Sequence, residues 1–232
     1  MPHQDHGTRL LSPASALIDI VEDDEPLAQA LMLLFESAGL KTRHFSSGER
    51  YLKAVKASSN DPRLALPGCV LLDIRLTAMS GLLVFDQLNR MDRVATKPVI
   101  FITGHGLMST AVDVLTRGAF DFISKPFISE ELVDKVQRAI RRSVQMLEQA
   151  SLKREVADRV SSLTPKEGLV MRGIVAGKSN RQVSLETANS VRTIELHRAR
   201  VLEKMGVSSA VELSSLLARA GFLEEPPAPP NA

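Results

Sequence analysis

Between Ala16 and about Val144, short apolar runs alternate with amphipathic stretches of helical period, the pattern of βαβ units that build a parallel sheet with helices on both faces. Strands are predicted at Leu17–Val21, Thr42–Phe45, Cys69–Leu72, Val99–Ile102 and Phe120–Ile123, a five-stranded sheet. The first helix opens at Pro26, carries Leu27, Ala30, Leu31, Leu34 and Ala38 on one face and stops at Gly39. Ser129 is placed to cap the fifth helix, along which Leu132, Val133, Val136, Ile140, Val144 and Leu147 recur at intervals of three and four. The pattern then loosens through Leu152, Val156 and Val160. Two readings of residues 146–160 stand side by side: a helical linker, or a short coiled-coil dimerisation seam.

In an open parallel sheet, ligand-handling residues gather beyond the carboxyl ends of the strands. Here the first strand runs into Glu22-Asp23-Asp24, the third into Asp73, the fourth into Thr103 and the fifth into Ser124-Lys125-Pro126. Carboxylates brought together repel one another, and a hard divalent cation with oxygen ligands, Mg²⁺ or Mn²⁺, relieves that repulsion. One carboxylate can then attack a phosphoryl group, a reaction that asks mainly for positioning and charge neutralisation. Lys125 and Thr103 offer the ammonium and hydroxyl for it.

A second domain announces itself at Thr164-Pro165-Lys166-Glu167, a hydroxyl cap followed by proline and a glutamate three residues on. A helix to Ala176, a break at Gly177-Lys178-Ser179, a helix from Asn180, a turn near Ala188-Asn189-Ser190 and a third helix make a helix-turn-helix plan. The third helix carries Arg192, Glu195, His197, Arg198, Arg200 and Lys204 around apolar Ile194, Val201 and Leu202. From Ser161 to Phe222 nine basic residues face five acidic ones, a local +4 in a chain of net +2, which favours a polyanionic partner. The single cysteine, Cys69, excludes an internal disulfide and reads as a small buried hydrophobe. His105 follows Thr103-Gly104 beside the pocket and reads as a spectator. No signal-peptide pattern opens the chain and no apolar run of about 18 residues follows, so a cytoplasmic protein without membrane contact is expected. The polar stretches 1–15 and 224–232 are expected to be disordered tails.

Residues 17–145 resemble a receiver domain, the flavodoxin-like (βα)5 phosphoacceptor module of two-component response regulators, on the run VLLDIRLTAMSG together with the four strand-end clusters. The resemblance implies that Asp73 is phosphorylated by a sensor histidine kinase. It further implies that Glu22, Asp23, Asp73 and the backbone carbonyl of Arg75 hold Mg²⁺, and that Thr103 and Lys125 contact the phosphoryl group with Phe122 as the aromatic switch. The family often has Pro-Gly where this chain has Thr77-Ala78, and Asp24 lies one place beyond the usual acidic pair.

The stretch from LTPKEG to VRTIELHRARVLEKMGV is similar to the LuxR-type helix-turn-helix, and its pairing with a receiver resembles the FixJ/NarL regulators. By that resemblance Glu195, Leu196, Arg198 and Ala199 face bases of double-stranded DNA. Arg192, Thr193, His197, Arg200 and Lys204 would contact phosphates or flank them. Thr187-Ala188 replaces the commoner Leu-Gly before the turn. The expected architecture is a receiver at 16–145, the 146–160 linker and an all-α DNA-binding domain at 161–223. The implied function is a phosphorylation-controlled transcription regulator that dimerises when phosphorylated, with RNA polymerase a candidate partner. A phosphorylation-independent DNA-binding regulator, with the receiver as an interaction module, is the alternative. No nucleotide-binding glycine loop or further catalytic domain is visible, so the chain reads as a regulator and not an enzyme.

Overall fold

A computed structural model describes residues 15–58, 65–104 and 108–223, which divide into two compact units between Ala150 and Ser151. His105 and the two expected tails, apart from Ser15, lie outside the described residues.

The first unit alternates β1 (Leu17–Val21), α1 (Glu25–Ser37), β2 (Lys41–Phe45), α2 (Gly48–Ala57), β3 (Gly68–Asp73), α3 (Gly81–Arg90), β4 (Val99–Thr103), α4 (Met108–Thr116), β5 (Asp121–Ser124) and the start of α5 (Ser129–Ser161). All four strand pairings are parallel, in the order β2-β1-β3-β4-β5, so the sequence order reverses between β1 and β3. Alternate residues of the central strands enter opposite cores. Ile18, Ile20, Cys69, Leu71, Ile100 and Ile102 pack with Leu31 and Phe35 of α1 and with Leu132, Val136 and Ile140 of α5. Val21, Val70, Leu72, Val99 and Phe101 pack on the other face with Tyr51 and Leu52 of α2 and Val84, Phe85 and Leu88 of α3. Cys69 is fully buried, and burial pushes its thiol up to about 12, which leaves it an inert core group.

Two local expectations need correction. The buried stripe of α1 is Ala28, Leu31 and Phe35, spaced three and four, while Ala30 and Ala38 face solvent. Phe35 removes more apolar area from water than either alanine could, and it sets the helix rotation. Ser129 is the first residue of α5 and not its cap, because the Leu132 amide donates to the carbonyl of Ile128.

The second unit holds the end of α5, then α6 (Pro165–Val175), α7 (Asn180–Thr187), α8 (Val191–Met205) and α9 (Ala210–Arg219). Val156 is fully buried with Val170, Ile174, Val183, Ile194, Val201, Met205, Leu213 and Leu217, and Leu152 and Val160 pack against the same cluster. The apolar stripe that suggested a coiled-coil seam is therefore occupied by the unit's own core, and α5 is helical throughout 146–160. Each of α6 and α7 begins with a capping box, Thr164 with Glu167 and Ser179 with Gln182. Ala188 closes α7 in the left-handed region, at φ 52° and ψ 35°, where the family commonly supplies glycine. Helix α9, to which the sequence pattern assigned no separate element, is capped by Ser209 and buries Leu213 and Leu217.

Candidate functional site

The chain turns out of β1, β3, β4 and β5 on one edge of the sheet, beside the reversal in strand order, and the four polar clusters meet there. Lys125 Nζ lies 2.6 Å from Asp73 Oδ2 and 2.8 Å from Glu22 Oε2. Glu22, Asp23 and Asp73 each offer an oxygen within 4.8 Å of the others, a set with the hard-donor chemistry of a divalent cation site. Asp73 is 6% exposed and Glu22 1%, so their charges are poorly screened by water. Burial holds Glu22 above the ordinary carboxylate range; the Lys125 hydrogen bond offsets part of this and the charge of Asp73 adds to it. Burial alone would lower the Lys125 ammonium, but its bonds to Asp73 and Glu22 outweigh that and hold it above its usual value.

The loops fix these groups by main-chain contacts. Asp73 Oδ1 accepts from the Arg75 amide at 2.9 Å, and Glu22 Oε1 from the Asp24 amide at 3.3 Å. The Lys125 amide donates to the Thr103 carbonyl at 2.6 Å, tying the end of β5 to that of β4. Thr103 is buried, and its hydroxyl donates to the Gly104 carbonyl at 3.1 Å. Phe122 is half-buried against the core of Val21, Leu72 and Phe101. At Gly81 any side chain would collide with the Asp73 carbonyl, so only glycine lets α3 start this close behind the site.

Three contacts were not foreseen from the sequence. Asp24, the acid beyond the usual pair, caps α1 by accepting from the Leu27 amide at 3.1 Å. Thr77 donates to Asp23 Oδ2 through its amide at 2.9 Å and again through its hydroxyl. Asp19, in mid-strand and 1% exposed, is met by Arg43 at 2.9 Å and Lys97 at 2.5 Å. A charged residue inside the apolar run of β1 was the available signal for the last.

In the second unit the helical period sorts the nine candidate DNA residues. Arg192, Glu195, Leu196, Ala199 and Arg200 lie on one exposed face of α8, at spacings of three, one, three and one. The other four have intramolecular environments. Thr193 donates its amide to Ser190 Oγ at 3.1 Å in the helix cap, and Arg198 reaches Asn180 Oδ1 at 3.4 Å. His197 lines a cleft with Leu169 and Val170 of α6, and its Nδ1 is buried without a hydrogen-bond partner among the described residues. Lys204 binds Glu167 Oε2 at 2.7 Å and the Ser162 carbonyl at 3.0 Å.

Among the described residues no helix is long and apolar enough to cross a membrane. Residues 18–137 match the response regulator receiver domain, and residues 161–217 match the luxR family of bacterial regulatory proteins. The chain is 35% identical to the transcriptional regulatory protein FixJ of Bradyrhizobium diazoefficiens over 90% of its own length and 97% of FixJ. It is 37% identical to the C4-dicarboxylate transport transcriptional regulatory protein DctR of Rhodobacter capsulatus, over 87% of this chain and 99% of DctR. Among solved structures, the response regulator StyR superimposes with TM-score 0.76 at 26% identity, covering 88% of this chain and 98% of StyR. Full-length FixJ from B. japonicum gives TM-score 0.53 at 33% identity, covering 90% and 98%.

Proposed function

This chain belongs to the response regulators that join a receiver domain to a LuxR-type DNA-binding domain, and from that premise we propose that Asp73 is the residue that carries the phosphoryl group. The family makes it a regulator of transcription that answers to a kinase and binds DNA. The observation that supports Asp73 is its place beside the Lys125 ammonium, 2.6 Å away, within the Glu22–Asp23–Asp73 cluster.

In the proposed reaction an Asp73 carboxylate oxygen attacks the phosphorus of a phosphohistidine on a sensor histidine kinase. The phosphorus–nitrogen bond breaks, the imidazole departs and an aspartyl phosphate remains. Lys125 presents its ammonium to the phosphoryl oxygens, and the Thr103 hydroxyl turns from the Gly104 carbonyl toward them. Phe122 follows Thr103 inward and repacks the face of α4, β5 and α5, on which two phosphorylated chains pair. Glu22, Asp23, Asp73 and the Arg75 carbonyl would hold Mg²⁺ or Mn²⁺, which when bound neutralises charge on the phosphoryl oxygens. Pairing then multiplies the affinity of two α8 helices for repeated half-sites in double-stranded DNA, through effective concentration. The exposed α8 face supports base contacts from Glu195, Leu196 and Ala199, with Arg192 and Arg200 on phosphates. The site of action is the cytoplasm and the partner at the promoter is RNA polymerase.

The test treats the wild type and Asp73→Asn with acetyl phosphate and Mg²⁺. Phosphate-affinity gels, sedimentation and DNA binding are read in parallel. Retarded, dimeric, tighter-binding wild type beside an unchanged variant is the expected result. Equal retardation of both proteins removes Asp73 from its role, and a retarded wild type with unaltered DNA affinity makes the receiver an interaction module instead of a switch.

A further inference from the structure

We propose that Thr77 is a positioning residue for the cation-binding carboxylate of Asp23, an inference that rests on the metal-dependent phosphoacceptor reading above. Its backbone amide donates to Asp23 Oδ2 at 2.9 Å, and its hydroxyl donates to the same oxygen. The two residues are 54 apart in sequence, and they join the loop after β3 to the loop after β1. The other two acids of the cluster are each oriented from two sides: Glu22 by Lys125 and the Asp24 amide, Asp73 by Lys125 and the Arg75 amide. Among the described residues Asp23 draws its hydrogen bonds from Thr77 alone.

Both donors fall on Oδ2, which leaves Oδ1 to a ligand while the carboxylate plane and rotamer are held. A carboxylate fixed in this way does not have to be ordered when a cation arrives, and losing such an outer partner typically weakens metal binding about 10- to 100-fold. Where the family often has proline, neither an amide hydrogen nor a hydroxyl is available. Threonine in this chain supplies both, so the metal affinity of its site is set in part by a residue that does not touch the metal.

Calorimetric titration of Mg²⁺ into the full unphosphorylated chain tests this with the wild type, Thr77→Val, Thr77→Ser and Asp23→Asn. Valine keeps the shape and the amide but loses the hydroxyl, and its Kd is expected to rise by about 3- to 10-fold, less than the about 10- to 100-fold of a fully lost outer partner because one donor stays. Serine is expected to restore wild-type binding to within about twofold, since the orienting hydroxyl returns. A general structural defect would not be rescued in this way. Asp23→Asn should abolish the heat. Thr77→Ala, read in the same manner, replaces the valine variant if its circular dichroism melt shows a misfolded protein. Equal or tighter Mg²⁺ binding by the hydroxyl-free variants overturns the role of Thr77 while leaving the metal site standing. Absence of binding by the wild type overturns both.

Discussion

Lys125 and Asp73, 52 residues apart in sequence, meet at 2.6 Å, and the same ammonium reaches Glu22 at 2.8 Å, so one cation serves two buried carboxylates. Removing it would leave like charges facing each other in a poorly hydrated pocket. Lys125→Met is expected to cut the rate of phosphorylation by acetyl phosphate about 100-fold or more, as loss of a charge-stabilising donor does elsewhere. Its side chain is 27% exposed, so water takes over part of its task and the stability loss should stay near 1–2 kcal/mol, below the 3–5 of a fully buried pair. Phosphorylation time courses and urea unfolding check the two effects separately.

Asp19 lies far from the chemistry in role, yet it is buried in mid-strand at 1% exposure, with Arg43 on one carboxylate oxygen and Lys97 on the other. Asp19→Asn keeps the volume but withdraws the charge that both cations answer. The Arg43 side chain is 49% exposed and can rehydrate, so a loss of about 1–2 kcal/mol in urea unfolding is expected, with phosphorylation retained.

Ala188 holds a left-handed conformation at φ 52°. That backbone costs alanine about 1–2 kcal/mol, of which glycine's greater freedom in the unfolded chain cancels about 0.4–1. Ala188→Gly should therefore stabilise the second unit by about 0.5–1 kcal/mol, read from the later or earlier transition in urea that reports on helix content.

Glu167 is buried at the start of α6, and the Lys204 hydrogen bond, with the Thr164 amide, lowers its carboxyl to about 2. A carboxylate held below its unfolded value contributes stability that is complete above about 4.5 and is lost as the pH falls toward about 2. The wild type should lose thermal stability across that acid window, and Lys204→Met should show a lower melting temperature at neutral pH with a weaker pH dependence. An unchanged profile in the variant would show that the pair does not stabilise α6.

Arg192 and Arg200 share the exposed face of α8, whereas Lys204 is engaged with Glu167 and Ser162. Arg192→Ala and Arg200→Ala are each expected to weaken DNA binding at every sequence and to reduce the salt slope by about one. Lys204→Met, measured well below its melting temperature, should leave that slope unaltered.

Much of the site was legible because its residues fall at strand ends, where a short apolar run gives way to a polar cluster: Glu22, Asp73, Thr103 and the Lys125 turn needed no coordinates to be picked out. The three-helix plan after Thr164 was equally open, since capping boxes and left-handed turns are local signals. Contacts between loops were not. The bond from Thr77 to Asp23 joins two loops whose spacing depends on how β1 and β3 pair.

Residue spacing within single segments was enough for the alternation of strands and helices as far as α8, for the acidic and basic chemistry at the strand ends, and for the charged third helix of the second unit. Only the folded chain reveals α9, which face of α1 is buried, that Val156 belongs to a core, and which side chains of α8 turn outward or bind Glu167. Those outcomes depend on what each helix packs against, and packing is a property of several segments at once, so no single stretch of sequence contains it.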